Sequence, residues 1–223
     1  MKFKTLAIVI PALMSAGLFA DPVKIACVGD SITYGDGVEN REANNYPQQL
    51  QNMLGEKFEV RNFGVCGAAL AKTSAGPYWE QPAYGQSQEF RPDVAIIKLG
   101  TNDSNPRINW DKCEPVFERD LNALIDTYEA LESKPAIFLC LPVKCFGSIN
   151  ADEDALVKIR KMIADTAAKR KLPLIDLYTP LEDRRELFPD NLHPNAAGAK
   201  IIAETVFEFL KKDPAFKAKA KKQ

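Results

Sequence analysis

Four short polar clusters hold the residues of this chain that are best suited to chemistry, and each follows an apolar run. They are Gly29-Asp30-Ser31, Asn62-Phe63-Gly64-Val65-Cys66-Gly67, Gly100-Thr101-Asn102-Asp103 and Asp190-Asn191-Leu192-His193. A serine hydroxyl is a weak nucleophile until a neighbouring base takes its proton, and a histidine serves as that base when a carboxylate fixes its tautomer. The clusters together therefore predict acyl transfer through a covalent intermediate.

The assignment of the base follows from composition, because His193 is the only histidine in the chain. Asp190 stands three residues earlier, so its carboxylate can accept a hydrogen bond from Nδ1 of the ring and leave Nε2 to face Ser31. Pro194 favours an extended backbone at His193 and limits how the ring can turn. A lone histidine is often a structural residue, but the accompanying clusters favour the catalytic interpretation.

A tetrahedral intermediate also needs hydrogen-bond donors aimed at its oxyanion. The backbone N–H of Ser31, the backbone N–H of Gly67 and the side-chain amide of Asn102 are the predicted donors. Gly64 is an alternative to Gly67, because either glycine allows a close approach of the backbone to a substrate.

Five apolar runs predict the strands that position these clusters: residues 23–28, 58–63, 94–99, 136–141 and 174–177. Helical spacing of apolar residues lies between most of them and predicts helices after Asn45, around residues 117–131 and 156–163, and over residues 195–212. Strands that are apolar on both faces and alternate with helices form a parallel sheet covered on both sides. We therefore expect an α/β/α three-layer sandwich in one domain, residues 21–212, with an irregular segment at residues 71–88.

Two other folds with glycine-rich turns do not match. A nucleophile elbow reads G-x-S-x-G, whereas Ile32, Thr33 and Tyr34 follow Ser31. The Gly35-Asp36-Gly37 turn lacks the third glycine of a dinucleotide-binding loop, since Asn40 takes its place.

At these four clusters the chain resembles the SGNH/GDSL hydrolase family. The family's sequence blocks are matched by Gly29-Asp30-Ser31, by Gly67, by Gly100-x-Asn102-Asp103 and by Asp190-x-x-His193. The match spans residues 23–210, with Ile32 in place of the leucine of the family's name. The resemblance implies a flavodoxin-like fold with a mostly five-stranded parallel sheet and a serine esterase that needs no cofactor or metal. It also implies Ser31 as nucleophile, Asp190 and His193 as its partners, and Gly67 and Asn102 as oxyanion donors.

The substrate is less constrained, because this fold hosts lipases, thioesterases, arylesterases and carbohydrate acetylesterases. Tyr78, Trp79 and Tyr84 lie among amides and hydroxyls, which suits stacking against sugars, although structural packing is an equal alternative. The overall similarity to exported bacterial members that resemble sialate and polysaccharide O-acetylesterases favours deacetylation of a glycan. Lysophospholipase, thioesterase or arylesterase activity, transfer of the acyl group to another sugar, and non-catalytic glycan binding are the alternatives.

The two ends of the chain differ from its middle. Lys2 and Lys4 precede an apolar stretch that ends at Ala20, before Asp21, which is typical of a signal peptide over residues 1–20. We therefore expect a secreted or periplasmic protein without stable membrane insertion; a membrane anchor is the alternative, but the stretch is shorter than a bilayer requires. Residues 213–223 are rich in lysine, and we expect a frayed tail there rather than a contact with an acidic surface.

Composition excludes some partners and ligands. The chain has 29 basic and 30 acidic residues, and loss of Lys2 and Lys4 leaves a net charge of −3, so nucleic acid is not an expected partner. The expected partner is a small-molecule or glycan ester, and the oligomeric state is not determined by the sequence. Five cysteines, without a CxxC motif, leave at least one thiol unpaired. Cys27 and Cys140 are expected to be buried, and Cys66 to be a small filler or an oxidation-sensitive thiol.

Overall fold

The computed structural model describes residues 21–107 and 110–221 and contains one five-stranded parallel sheet in the order β2-β1-β3-β4-β5. Its strands are β1 (Val23–Gly29), β2 (Phe58–Gly64), β3 (Val94–Lys98), β4 (Ala136–Leu141) and β5 (Leu174–Asp176). All five predicted strands are confirmed to within two residues at their ends. This order reverses the direction of winding between β1 and β3, and ligands in such sheets bind beyond the carboxyl ends of the strands at that point.

The inner strands β1, β3 and β4 are largely apolar on both faces because the sheet is covered on both sides, whereas the edge strand β2 carries Glu59 and Arg61. Along β1, Ile25 and Cys27 belong to one hydrophobic core, whereas Ala26 and Val28 belong to the other. Alternate side chains of a strand point to opposite faces, so a strand between two helical layers must be apolar throughout. The predicted three-layer α/β/α sandwich is confirmed.

One helical layer consists of α3 (Tyr46–Leu54), α8 (Ala196–Lys212) and the C-terminal α9 (Pro214–Ala220). The first two helices begin as the sequence predicts, because the side chains of Asn45 and Asn195 each accept a hydrogen bond from a backbone N–H of the first turn. Both helices bury their apolar faces in the core that contains Ile25 and Cys27.

The other helical layer consists of α4 (Pro82–Glu89), α6 (Phe117–Glu129) and α7 (Glu153–Arg170). Helix α7 extends about one turn before and about two turns beyond the predicted apolar positions, and the side chain of Asp152 caps its first turn. The remaining helices are short: α1 (Ser31–Tyr34), α2 (Arg41–Asn44) and α5 (Trp110–Cys113). Single 3-10 turns lie at Tyr78–Glu80, Asn102–Ser104, Glu114–Val116, Thr179–Leu181 and Arg185–Leu187.

Two expectations about irregular segments are corrected. Residues 71–88 contain a 3-10 turn and most of α4, whose apolar spacing is too weak to be recognised in the sequence. The tail is not frayed over residues 213–220, because α9 docks on the sheet edge through Phe216, which is 5% exposed and stacks on Phe58. Burial of that single aromatic ring outweighs the solvation of the surrounding lysines.

The predicted signal peptide, residues 1–20, lies outside the described residues. Among the helices of the described ranges, none has the length and apolar character that a membrane span requires.

Candidate active site

Ser31 begins helix α1 directly after β1, and its local geometry is fixed by the residue before it. The carboxylate of Asp30 accepts a hydrogen bond from the N–H of Ile32 at 3.0 Å and so caps this single-turn helix. The helix ends at Gly35, whose positive φ of 93° closes the turn. Ser31 is thereby held at the carboxyl end of the sheet with 4% of its surface exposed.

The structure brings Ser31, His193 and Asp190 into one hydrogen-bonded chain. Nε2 of His193 lies 2.8 Å from Oγ of Ser31, and Nδ1 lies 2.6 Å from Oδ2 of Asp190. The other carboxylate oxygen, Oδ1 of Asp190, accepts hydrogen bonds from the backbone N–H groups of His193 and Leu192. The carboxylate therefore holds both the ring and the backbone of the loop that carries it.

Two effects act on the pKa of Asp190. Partial burial raises this pKa, but the hydrogen bonds from the His193 ring and from the N–H groups of His193 and Leu192 outweigh burial. The net pKa is below the ordinary value, since each of these donors stabilises the ionised form. Asp190 is therefore a carboxylate at neutral pH.

The structure separates the two glycines that the sequence left as alternatives. Gly64 lies against helix α1, where an added Cβ would come within 2.2 Å of the backbone nitrogen of Tyr34. Gly67 instead lines the cavity in front of Ser31 and has a positive φ of 77°, a conformation that L side chains rarely adopt. The side-chain amide of Asn102 also lines this cavity and donates to the carbonyl oxygen of Ala68 at 2.9 Å.

The cavity in front of Ser31 has a volume of about 260 Å³. Its lining residues are Ser31, Asp36, Gly67, Asn102, Asn105, Asn150, Leu192 and His193. Three of these are asparagines and one is a leucine, so polar residue types outnumber apolar ones, although carbon atoms supply slightly more than half of the wall surface. The volume suits a small polar ligand.

A buried ion pair lies beneath the nucleophile's loop. Nζ of Lys98 lies 2.8 Å and 3.0 Å from the two carboxylate oxygens of Asp30 and 2.7 Å from Oγ1 of Thr101. Neither Lys98 nor Asp30 has any exposed surface. All three ammonium hydrogens thus have an acceptor, which is the condition under which a buried charge is tolerated.

A second buried carboxylate holds the loop that follows Gly67. The two oxygens of Asp103 accept hydrogen bonds from the backbone N–H groups of Leu70 and Ala71, each at 2.8 Å. Burial raises the pKa of Asp103 to about 6, although these two donors lower it. The GTND cluster therefore does two things: Asn102 faces the cavity, and Asp103 fixes the neighbouring loop.

The three aromatic residues predicted to bind substrate do not line the cavity. Tyr78 is fully buried and its hydroxyl donates to the carbonyl oxygen of Phe63, while Nε1 of Trp79 donates to the carbonyl oxygen of Leu70. Tyr84 packs edge-on against Tyr78 and lies beside Trp79. The three rings thus pack against the core beside α4, away from the residues that line the cavity.

The five cysteines, all in the described ranges, are unpaired. Cys27, Cys113, Cys140 and Cys145 are buried, as expected for the first and third of them. Burial raises the pKa of Cys27 to about 12, so this thiol stays protonated. Cys66 is exposed and is therefore not a filler. No group of three or more metal-ligating side chains is found within residues 21–107 and 110–221.

Four residues at the site were missed in the sequence: Asp36, Lys98, Asn105 and Asn150. Lys98 had a recognisable signal, because a lysine at the end of an otherwise apolar strand must find a partner once the strand is buried. Asp36 had a weaker one, an acidic residue between two glycines. The two asparagines lie in loops whose sequence gives no indication that they meet Ser31.

A parallel sheet of this order, with a serine, an imidazole and a carboxylate aligned at its switch point, places the chain in the class of α/β/α acylhydrolases. The chain belongs to the GDSL-like lipase/acylhydrolase family, whose model matches residues 27–201. The resemblance stated from the four sequence clusters is confirmed, and with it the class of carboxylic ester hydrolases.

Individual relatives agree with this family. An acetylxylan esterase of Xylanibacter ruminicola is 34% identical over 211 residues, which cover 86% of this chain and 44% of that protein. The chain thus spans less than half of that relative's length. Among solved structures, the aryl esterase of M. smegmatis has a TM-score of 0.68 at 16% identity, with 84% of this chain and 98% of that chain covered.

A carbohydrate acetylesterase from Sinorhizobium meliloti also has a TM-score of 0.68, at 12% identity, with 84% of this chain and 98% of that chain covered. At such low identities the two structural likenesses show the fold that is shared. They leave the choice of ester to the geometry of the site.

Replacing Lys98 by methionine is expected to lower the free energy of unfolding by about 3–5 kcal/mol, because it leaves the Asp30 carboxylate buried and unpaired. Urea unfolding followed by circular dichroism measures the change. The matched control is Lys158→Met, which removes an exposed ion pair with Glu114 and should cost less than about 1 kcal/mol. Equal losses in the two variants would show that the buried ion pair contributes no more to the free energy of unfolding than the exposed one.

A second prediction concerns pH. The pKa of Asp103 is about 6 in the folded protein, against about 3.9 for an unfolded aspartate. Between these values the folded state binds more protons than the unfolded state, so this residue's contribution to stability falls as pH rises from about 4 to about 6. The fall should amount to roughly 2–3 kcal/mol.

Urea unfolding of wild type and of Asp103→Asn between pH 4 and 7.5 isolates this contribution, because the amide does not titrate. The difference in unfolding free energy between the two proteins should decrease with pH over that window and then level off. A constant difference would contradict the raised pKa.

Proposed function

We propose that this protein is an exported serine esterase that removes O-acetyl groups from a carbohydrate. The observation that carries the proposal is the hydrogen-bonded chain from Ser31 through His193 to Asp190 at the wall of a small cavity with three asparagines in its lining. Export is supported by the basic start and the apolar stretch of residues 1–20.

The first half of the reaction forms an acyl-enzyme. Oγ of Ser31 attacks the ester carbonyl carbon while Nε2 of His193 takes the hydroxyl proton, and Asp190 stabilises the imidazolium that results. The bond between the carbonyl carbon and the sugar oxygen then breaks. Nε2 gives its proton to that oxygen, so the sugar leaves as a neutral alcohol.

The second half repeats these steps with water. Nε2 of His193 takes a proton from a water molecule as the water oxygen attacks the acetyl-serine carbonyl carbon. Collapse of the tetrahedral intermediate breaks the bond to Oγ of Ser31, which recovers its proton from the imidazolium. Acetate is released and the enzyme returns to its starting state.

Both tetrahedral intermediates carry a negative oxygen that needs donors. We assign the backbone N–H of Ser31, the backbone N–H of Gly67 and the side-chain amide of Asn102 to this role. Ser31 and the other two residues line the same cavity, and the contact with Ala68 fixes the orientation of the amide. Such preorganised donors stabilise the transition state more than the ground state.

The cavity supports an ester whose acyl group is acetate and whose alcohol carries further hydroxyl groups. Binding of a long acyl chain requires an apolar wall that removes hydrocarbon from water. Among the lining residues described, Leu192 is the one with an aliphatic side chain, which is too little for such a wall. Asn105 and Asn150 present amides that can exchange hydrogen bonds with sugar hydroxyls. The relative from Xylanibacter ruminicola, an acetylxylan esterase, supports the same substrate class.

Replacing Ser31 by alanine is expected to abolish release of acetate from 4-nitrophenyl acetate and from acetylated xylan, because the nucleophile is lost. A fluorophosphonate probe should label wild type and not the variant, as read from intact mass. The matched control is Ser133→Ala in the turn before β4, at the opposite edge of the sheet, which should keep both activity and labelling. Turnover retained in Ser31→Ala would refute the mechanism.

Replacing Asn102 by alanine is expected to lower kcat by a factor of about 10²–10³ with a small change in KM, because this amide acts mainly on the charged intermediate. Steady-state kinetics with 4-nitrophenyl acetate measures both constants. Thermal unfolding checks that the contact with Ala68 is not essential for folding, and Asn52→Ala on the exposed face of α3 is the control. A loss confined to KM would assign Asn102 to ground-state binding instead.

A further inference from the structure

The Gly35-Asp36-Gly37 turn is a feature of the sequence that the esterase mechanism does not use. Its backbone is fixed, because the N–H groups of Gly35 and Asp36 both donate to the carbonyl oxygen of Ser31 at 2.9 Å. The two glycines have positive φ values of 93° and 73°, which let the chain turn sharply on either side of Asp36. The turn therefore presents the Asp36 side chain at a defined place beside the nucleophile.

That place is the cavity in front of Ser31. Oδ2 of Asp36 lies 3.8 Å from Nε2 of His193, the ring nitrogen that faces Oγ of Ser31 at 2.8 Å. The distance of 3.8 Å exceeds that of a hydrogen bond, so Asp36 does not compete with Ser31 for the ring. Its side chain is 51% exposed, which leaves the carboxylate open to an incoming ligand.

The charges around the cavity leave Asp36 uncompensated there. Apart from the ring of His193, the other lining residues described are neutral. Arg41 stacks on the ring of Tyr34 and pairs with Glu42. Arg107 follows Asn105 in the chain and is exposed, outside the cavity lining. The field at the cavity mouth is therefore negative: Asp36 lies on the Nε2 side of the His193 ring, and the carboxylate of Asp190 on the Nδ1 side has the same sign.

We propose that Asp36 is a specificity-determining residue that restricts the enzyme to esters of uncharged alcohols. Its carboxylate accepts a hydrogen bond from a hydroxyl next to the ester and repels alcohols that carry a carboxylate, sulfate or phosphate. This inference rests on the proposed esterase function and narrows its substrates to acetylated neutral glycans. Discrimination here comes from a repulsive contact with the wrong substrate as well as an attractive contact with the right one.

The size of the effect follows from Coulomb's law. Two unit charges about 6 Å apart at a partly solvated surface, with an effective dielectric constant between about 40 and 80, change a rate constant by about three- to tenfold. Salt weakens this repulsion because Asp36 is exposed. The preference for neutral substrates should therefore shrink as ionic strength rises.

The experiment compares acetylated methyl glucoside with acetylated methyl glucuronide, which differ in a hydroxymethyl group and a carboxylate. Wild type should show a kcat/KM about three- to tenfold higher for the neutral sugar, and Asp36→Asn should bring this ratio close to one. Any effect of the substitution on the chemical step is common to both substrates, so it cancels in the ratio. Raising the salt concentration should move the wild-type ratio in the same direction.

The control is Glu56→Gln, which removes one negative charge from an exposed turn at the opposite edge of the sheet. It should leave the ratio unchanged, and an equal change in both variants would assign the effect to net charge and overturn the role of Asp36. An unchanged ratio in Asp36→Asn, or a wild-type ratio near one, would also overturn it.

Failure of the proposed carbohydrate esterase function is distinguishable from these outcomes. If wild type hydrolyses neither sugar acetate, the glycan assignment fails, and the same comparison is made with 4-nitrophenyl acetate and the anionic 4-acetoxybenzoate. A ratio of the two rates that shifts in Asp36→Asn alone supports the specificity role without the glycan. A ratio that stays the same, or absence of all turnover, overturns the inference.

Discussion

The buried ion pair between Lys98 and Asp30 is the interaction on which the geometry of the site depends. Asp30 separates β1 from Ser31, and Lys98 ends β3 just before the loop that carries Asn102. Register places Lys98 opposite Gly29, so the pair joins the two loops at the switch point of the sheet. Separating the two side chains would leave both charges buried and unpaired, at a large cost in free energy. The ion pair therefore holds both loops at a fixed separation.

The walls of the cavity, rather than the fold, select the ester. Folds of this kind host many chemistries, and the same sheet positions a nucleophile for any of them. Here the loop residues Asp36, Asn105 and Asn150 are polar and line, together with Ser31, a cavity of about 260 Å³. Loops on a rigid scaffold vary without cost to the core, which is why substrate choice resides in them.

The sequence by itself determined the fold class and predicted the side chains that meet at the candidate site. A strand buried on both faces is rich in apolar residues, so five short runs of that kind with helical spacing between them identified the sheet and its main helices. The clusters at the strand ends then converge, since parallel strands bring their carboxyl ends to one edge. With His193 as the single histidine, the sequence offered one candidate for the base beside Ser31, and the structure places Asp190 on its other ring nitrogen.

Only the tertiary structure decided which side chains meet across long separations. An aromatic residue has the same local sequence whether it packs in a core or faces a cavity, and the burial of Tyr78 and the docking of Phe216 depended on contacts with strand β2. Lys98 and Asp30 are 68 residues apart, and Asp36 and His193 meet although they are far apart in the sequence. Local propensity carries no information about such pairs, because their members meet only when the whole sheet assembles.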